Sequence, residues 1–221
     1  MKNKKYIFIT IEGGEGCGKT TQSKLLKKYL EDKGFKVILT REPGGSTVAE
    51  QVRTILLNPS FKVVPLCELM LYEASRAQHL EEIIKPNLKN GCVVICDRFT
   101  DSTLAYQGYA RKLDKNIINK LNDIASCGIK PDITFYLDVK PEEGIKRAKS
   151  VYKGKLTGGD RIEKESINFH NKVREGFLKL AKKYPARIKK IETKNGIEET
   201  QRNIIEVMNK FLLRKGFIKK S

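Results

Sequence analysis

Tyr6-Ile7-Phe8-Ile9-Thr10-Ile11 followed by Glu12-Gly13-Gly14-Glu15-Gly16-Cys17-Gly18-Lys19-Thr20-Thr21 is the stretch that decides the fold. Its first six residues are apolar and β-branched and read as a strand. Gly13 to Thr20 fits GxxxxGK(S/T) at every fixed position, and Leu25, Leu26, Tyr29 and Leu30 recur at helical spacing just beyond it. The glycines let successive backbone N–H groups turn inward around phosphate oxygens. The helix start adds its partial positive charge. Lys19 is placed for the β- and γ-phosphates, and the Thr20 hydroxyl for Mg²⁺. Strand, glycine loop and helix together predict a nucleoside triphosphate site with Mg²⁺, and leave the acceptor open.

Working outward, strands and helices alternate. Lys36 to Thr40, Cys92 to Cys96, Asp132 to Leu137 and, more weakly, Arg187 to Ile191 read as further strands. Helices are expected at about 48–57, 66–88, 141–150 and 197–213. Two further apolar stripes mark helices, one through Ile117, Ile118, Leu121, Ile124 and Ala125 and one through Val173, Phe177, Leu180, Ala181 and Tyr184. The Cys92–Cys96 run is continuously apolar, as in a strand covered on both faces. This order predicts an α/β fold around a parallel sheet. The 221 residues suit a single domain, 1–221.

Composition excludes several classes. Hydrophobic residues make up 39% and charged residues 32%, so the chain is neither disordered nor membrane-embedded. Its apolar runs are far shorter than the ~20 residues that span a bilayer. The basic, then apolar start faintly resembles an export signal, but the apolar run stops at Glu12 without a small-residue cleavage site. Five cysteines without CxxC spacing fit free thiols, and with them a reducing, cytoplasmic location. The net charge of +18 is spread along the chain without an aromatic-interleaved basic block, so solvated lysine faces account for it better than nucleic-acid binding.

Five more motifs follow in order. Thr40-Arg41-Glu42-Pro43-Gly44-Gly45 comes after the second strand, and Tyr72-Glu73-Ala74-Ser75-Arg76 lies in the long helix. Asp97-Arg98-Phe99 and Thr103-Leu104-Ala105-Tyr106-Gln107-Gly108 follow the third strand, and Asp160-Arg161-Ile162-Glu163 closes a Gly/Lys-rich loop. Together with the glycine loop, this set closely resembles the thymidylate kinase family over nearly the whole chain. The glycine loop alone is shared by many families, and the ordered set is far more specific. The resemblance implies a P-loop NTPase-type five-stranded parallel sheet with helices on both faces and a lid at about 148–160. It implies phosphoryl transfer from ATP to dTMP with Mg²⁺, and a cytoplasmic homodimer without nucleic-acid or membrane partners.

The resemblance also implies roles. Gly13, Gly14, Glu15, Gly16, Cys17, Gly18, Lys19, Thr20 and Thr21 would hold the ATP phosphates, with Thr20 and, through water, Asp97 at the metal. Glu15, Arg41, Glu42, Pro43, Arg53, Tyr72, Arg76, Arg98, Thr103, Tyr106 and Gln107 would bind dTMP. Tyr72 and Arg76 are i and i+4, on one helix face, and the resemblance implies that the ring there stacks on the base while the guanidinium donates to its edge. Thymine O4 accepts there whereas the cytosine amine donates, and Gln107 offers an acceptor for thymine N3–H. Tyr106 would crowd the sugar 2′ position, Glu15 would contact the 3′-OH and Arg98 would grip the phosphate. Taken alone, Tyr72 also reads as a core contact and Arg76 as a salt-bridged helix charge. Some family members carry an arginine in the loop where this chain has Gly16, and members without it use lid arginines. Here Lys149, Lys153 and Lys155 share the lid with Arg147 and Arg161, and Arg161 is expected as the transition-state cation beside the catalytic Lys19 and Arg98. Asp160 and Glu163 also fit a helix-capping pattern. A deoxynucleoside kinase is the near rival and would need a carboxylate base. A guanine-specific enzyme is disfavoured, because no Asn-Lys-x-Asp motif occurs.

Overall fold

The computed structural model describes residues 6–151 and 159–219. Five strands form one sheet, all parallel, in the order β2-β3-β1-β4-β5. They are β1 (Ile7–Gly13), β2 (Val37–Arg41), β3 (Val93–Asp97), β4 (Ile133–Asp138) and β5 (Ile188–Glu192). In the central register Ile9 lies opposite Ile95 and Ile133. Every residue of β1 is buried, Thr10 and Glu12 included, as in a strand covered on both faces.

Side chains alternate across the sheet. Ile7, Ile9 and Ile11 pack with Leu26 and Leu30 of α1 (Lys19–Asp32) and with Ile204, Met208 and Phe211 of α9 (Ile197–Arg214). On the opposite face Phe8, Val94 and Cys96 lie beneath Leu80, Ile84 and Leu88. Tyr136 of β4 stacks on Phe177 of α8 (Ile167–Lys183) with centroids 5.1 Å apart. From β1 the chain crosses towards β2, whereas from β3 it crosses to β4 on the other side of β1. The crevice between the carboxyl ends of β1 and β3 is therefore the switch point of the sheet, where open α/β sheets place ligands.

One helical segment differs from the sequence expectation. The long helix expected over 66–88 is α3 (Pro65–His79), a π-helical turn over Leu80–Ile84, and α4 (Lys85–Lys89). Pro86 supplies the reason, since it has no N–H for an i→i−4 bond and the wider turn absorbs the break. After α5 (Thr100–Thr103) the AYQG segment is itself a π-helix, Leu104–Ala110. The stripe expected on α6 (Lys115–Ala125) is only partly buried: Ile118 and Ala125 lie in the core, while Ile117 and Ile124 are exposed. Val48 and Ile55 of α2 (Thr47–Leu57) and Leu66 and Met70 of α3 are exposed as well.

One backbone contact shapes the phosphate loop. Gly16 has φ +64°, and a Cβ there would lie 1.9 Å from the Gly144 carbonyl oxygen. Gly144 is on α7 (Pro141–Val151), and a Cβ on it would lie 2.3 Å from the Glu15 carbonyl oxygen. The two glycines let the loop and the helix approach main chain to main chain.

Candidate active site

A cleft of about 540 Å³ opens at the switch point. On one side it is lined by Glu15, Gly16, Gly18, Lys19, Thr20 and Thr21, on the other by Arg41, Glu42, Pro43, Arg53, Tyr72 and Arg76. Asp97, Arg98, Thr103, Tyr106 and Gln107 form the floor between them. Most residues singled out in the sequence thus share one cavity. Gly13, Gly14 and Cys17 lie behind it: the Lys19 ammonium donates to the Gly14 carbonyl at 2.8 Å and the Gly13 carbonyl at 3.3 Å, with the Cys17 Sγ 3.7 Å away.

Arg98 is the centre of the floor. It follows β3 at φ +69°, a conformation rare for a residue with a Cβ. Its Nη1 donates to the Gly13 carbonyl at 2.8 Å, and its Nη2 to Glu15 Oε1 at 2.7 Å. The Tyr106 hydroxyl donates to the same Glu15 oxygen at 2.8 Å. Burial pushes the Glu15 carboxyl up, but Arg98, Lys19 and the Tyr106 hydroxyl outweigh it and hold the pKa down at about 2.

Glu12 holds this turn from beneath. It is fully buried, and its carboxylate accepts from the Phe99 N–H at 2.8 Å and the Ser102 hydroxyl at 2.5 Å. Ser102 lines the cleft and in turn lies 3.4 Å from Arg98 Nη1. Sequence reading found no role for Glu12 and did not single out Ser102. Their signal was present only as a carboxylate ending β1 and a hydroxyl four residues after Arg98.

The base-side residues sit on α3. Tyr72 and Arg76 share a helix face, as their spacing requires. Arg76 is buried, its Nε donates to Glu42 at 2.8 Å, and its Nη1 donates to Glu73 at 2.8 Å and Asn122 at 2.7 Å. Both readings of Arg76 therefore hold at once, since it is salt-bridged and also lines the cleft. Glu42 also meets His79 Nδ1 at 3.1 Å, and its peptide bond to Pro43 is cis. Among the described residues Glu42, His79 and Cys96 form a possible ligand trio, but the adjacent Arg76 guanidinium opposes a cation there. Arg53 donates to the Pro43 carbonyl at 2.9 Å, and Arg41 donates to both Glu50 carboxylate oxygens.

Arg161 is placed differently from the expectation. Its side chain is mostly buried outside the cleft lining, with Nη1 2.7 Å from Glu68 and Nε donating to the Leu56 carbonyl at 2.8 Å. The physical reason is Glu68, a fully buried carboxylate that also takes Gln107 and Arg111 and draws the guanidinium inward. From the lid side the described cation in the cleft is Arg147, which also donates to the Thr193 carbonyl. Lys153 and Lys155 lie outside the described residues. The Asp160–Glu163 pattern makes reciprocal capping bonds within a turn: Asp160 Oδ1 accepts from the Glu163 N–H at 2.9 Å, and Glu163 Oε2 from the Asp160 N–H at 3.3 Å.

Two outcomes follow. Arg161→Lys keeps the charge and loses the Leu56 bond, so it is expected to cost about 1–3 kcal/mol of stability while kcat stays near the wild-type value. Thermal melts and steady-state kinetics check this, and a collapse of kcat in a well-folded variant returns the catalytic cation to Arg161. The second concerns Glu12. Burial first, and Asp101 second, push its carboxyl up to about 8, against Ser102, Arg98 and the Phe99 N–H. Above its unfolded value of 4.5 the folded state therefore holds the extra proton, and this stabilisation is lost as pH rises through about 8. Glu12→Gln has no such proton to lose, so its Tm should gain on that of the wild type between pH 5 and 8.5. Parallel Tm curves across that range exclude the shift.

Comparison with known proteins agrees with this geometry. The sequence profile of the family described as thymidylate kinase matches residues 11–204. The thymidylate kinase of Geotalea daltonii is 52% identical over 197 residues, covering 88% of this chain and 92% of that protein. That of Thermoanaerobacter sp. is 46% identical over 212 residues, covering 96% and 100%. The crystal structure of thymidylate kinase from Ehrlichia chaffeensis superposes with a TM-score of 0.73 at 38% identity, covering 92% of this chain and 98% of that one. With this cleft at the switch point of this sheet, the chain belongs to the thymidylate kinase family.

Proposed function

We propose that the protein transfers the γ-phosphoryl group of ATP to the phosphate of dTMP, giving dTDP and ADP. The observation that carries this is the single cleft in which the phosphate loop and the Tyr72–Arg76–Gln107 pocket face each other across Arg98. The acceptor is a phosphate monoester with a second pKa near 6, largely dianionic at neutral pH, so it needs no strong base. Glu15 fits that chemistry: held near a pKa of 2 and bonded to Arg98 and Tyr106, it is a poor proton acceptor and a good anchor for the sugar. This is also why a deoxynucleoside kinase, which must deprotonate a hydroxyl, fits less well.

Catalysis is then positioning and charge neutralisation of an in-line transfer. Lys19 and the loop N–H groups hold the donor phosphates, and Arg98 holds the acceptor phosphate with its guanidinium fixed by Gly13 and Glu15. Arg41 and Arg53 flank the acceptor side, Tyr72 stacks on the base, and Arg76 and Gln107 read its edge, with Thr103 beside them. Tyr106, which lines the cleft, crowds the sugar 2′ position and favours deoxyribose. The hydroxyl of Thr20 lies 3.2 Å from Asp97 Oδ2 at the mouth of the loop. This hard oxygen pair fits Mg²⁺, with Thr20 as ligand and Asp97 acting through water. The ion supplies charge neutralisation on the transferring phosphoryl group. Arg147, which donates to the Thr193 carbonyl, brings a further cation to the donor side of the cleft. The lid expected at about 148–160, which would keep water from the phosphoryl group, lies mostly outside the described residues. The chain acts as one kinase domain.

We also propose a cytoplasmic homodimer that binds neither nucleic acid nor membrane. Val48, Ile55, Leu66, Met70, Ile117 and Ile124 expose apolar side chains on α2, α3 and α6, and α3 contacts both other helices. Among the described residues no helix is long and apolar enough to cross a membrane. A Met70→Asp/Ile124→Asp variant should sediment as a monomer where the wild type sediments as a dimer. A monomeric wild type would refute the dimer.

The reaction is tested by a coupled ADP-release assay with ATP, with and without Mg²⁺, and with dTMP, dUMP, dCMP or thymidine as acceptor. Turnover of dTMP that requires Mg²⁺ and falls about a hundredfold or more in Arg76→Ala is expected. Turnover of thymidine but not dTMP would replace the reading with a nucleoside kinase.

A further inference from the structure

Gln107 lies on the π-helix and is 1% exposed, yet it lines the cleft. Its Nε2 donates to Glu68 Oε1 at 2.8 Å. Glu68 lies one turn before Tyr72 and two before Arg76 on α3. Arg111 donates to both of its carboxylate oxygens at 3.2 and 3.1 Å, and Arg161 Nη1 lies 2.7 Å away. Burial pushes the Glu68 carboxyl up, but the bonds from Arg111, Gln107 and Arg161 outweigh it and hold it below the ordinary carboxylate range. Glu68 is therefore ionised at neutral pH, and an ionised carboxylate can only accept hydrogen bonds.

That fact fixes an amide. Gln107 must turn its NH₂ to Glu68 and its carbonyl oxygen away, and among the described residues this oxygen accepts no hydrogen bond. The same device acts on Arg76, whose Nε and Nη1 are taken by Glu42, Glu73 and Asn122 while Nη2 donates to none of the described residues. The cleft thus presents a donor at Arg76 and an acceptor at Gln107.

We infer that Glu68 is a positioning residue for base selection, locking the Gln107 amide with its oxygen towards the nucleobase. This rests on the reading of Gln107 as a base contact. A donor beside an acceptor matches the O4 and N3–H of thymine. Cytosine offers an amine and a bare N3 there and is mismatched twice. In Glu68→Gln the new amide turns its oxygen to Arg111 and Arg161 and its NH₂ to Gln107. Gln107 then flips and offers its own NH₂ to the base, which suits the cytosine N3. Uracil shares the thymine edge, so dUMP is the internal control.

The test is kcat/KM for dTMP, dUMP and dCMP in the wild type, Glu68→Gln and Gln107→Leu. Glu68→Gln is expected to lower the dTMP-to-dCMP ratio at least about tenfold, with dTMP and dUMP falling together. The ratio does not depend on the fraction folded. An unchanged ratio in Glu68→Gln, with a lowered one in Gln107→Leu, overturns the role of Glu68 alone. An unchanged ratio in both overturns the base-contact reading beneath it. Should Glu68→Gln not fold, the wild type still decides. The side-chain NH₂ signals of Gln107, identified by their loss in Gln107→Leu, are expected to be protected from solvent exchange. Exchange at the rate of a free amide overturns the lock.

Discussion

The Arg98 turn is the constraint on which the rest of the site depends. A residue with a Cβ at φ +69° persists only where its surroundings hold it there. Here the bonds from the Phe99 N–H and Ser102 to Glu12, and from the Arg98 guanidinium to Gly13 and Glu15, do so. The turn ties the ends of β1 and β3 together. Because Glu12 precedes the phosphate loop and Glu15 lies within it, the same bonds set the distance between the donor and acceptor halves of the cleft.

A second pattern spreads from this one. The chain carries +18 net charge, yet the cleft is organised by acids. Glu15 orients Arg98, Glu42 and Glu73 orient Arg76, and Glu68 orients Gln107, Arg111 and Arg161. Each acid is buried or nearly so, and each bonds a group whose remaining face is thereby aimed, although Glu73 keeps its buried Oε1 without a partner among the described residues. An unpaired carboxylate at such a depth would be strongly destabilising, so the cations and the amide are as necessary to the fold as the acids are to the site.

Much of this was legible in the sequence, for physical reasons. The glycine loop announces itself because only glycine tolerates its turns, and the apolar runs mark strands covered on both faces. The cleft residues Tyr72 and Arg76 were found through the family resemblance, and their i, i+4 spacing said only that they share one helix face. What stayed hidden depends on contacts distant in the chain. Glu68 meets Arg161 across ninety-three positions, and nothing local to either residue says that the arginine turns inward rather than towards phosphate. Ser102 and Glu12 gain meaning only when β1 and β3 lie side by side. The π-helical turn at Leu80–Ile84 answers a proline whose presence was visible but whose remedy was not.

The approach of Gly16 to Gly144 bears on what this loop can accept. A side chain at position 16 would run into the main chain of α7, at a φ that already disfavours it. Exchanging a lid cation for a loop arginine is therefore not a single substitution in this backbone. It first requires the helix that leads into the lid to retreat, and a chain caught between the two arrangements would have a strained loop and no gain in charge. In this chain main-chain geometry, and not charge alone, therefore keeps position 16 a glycine.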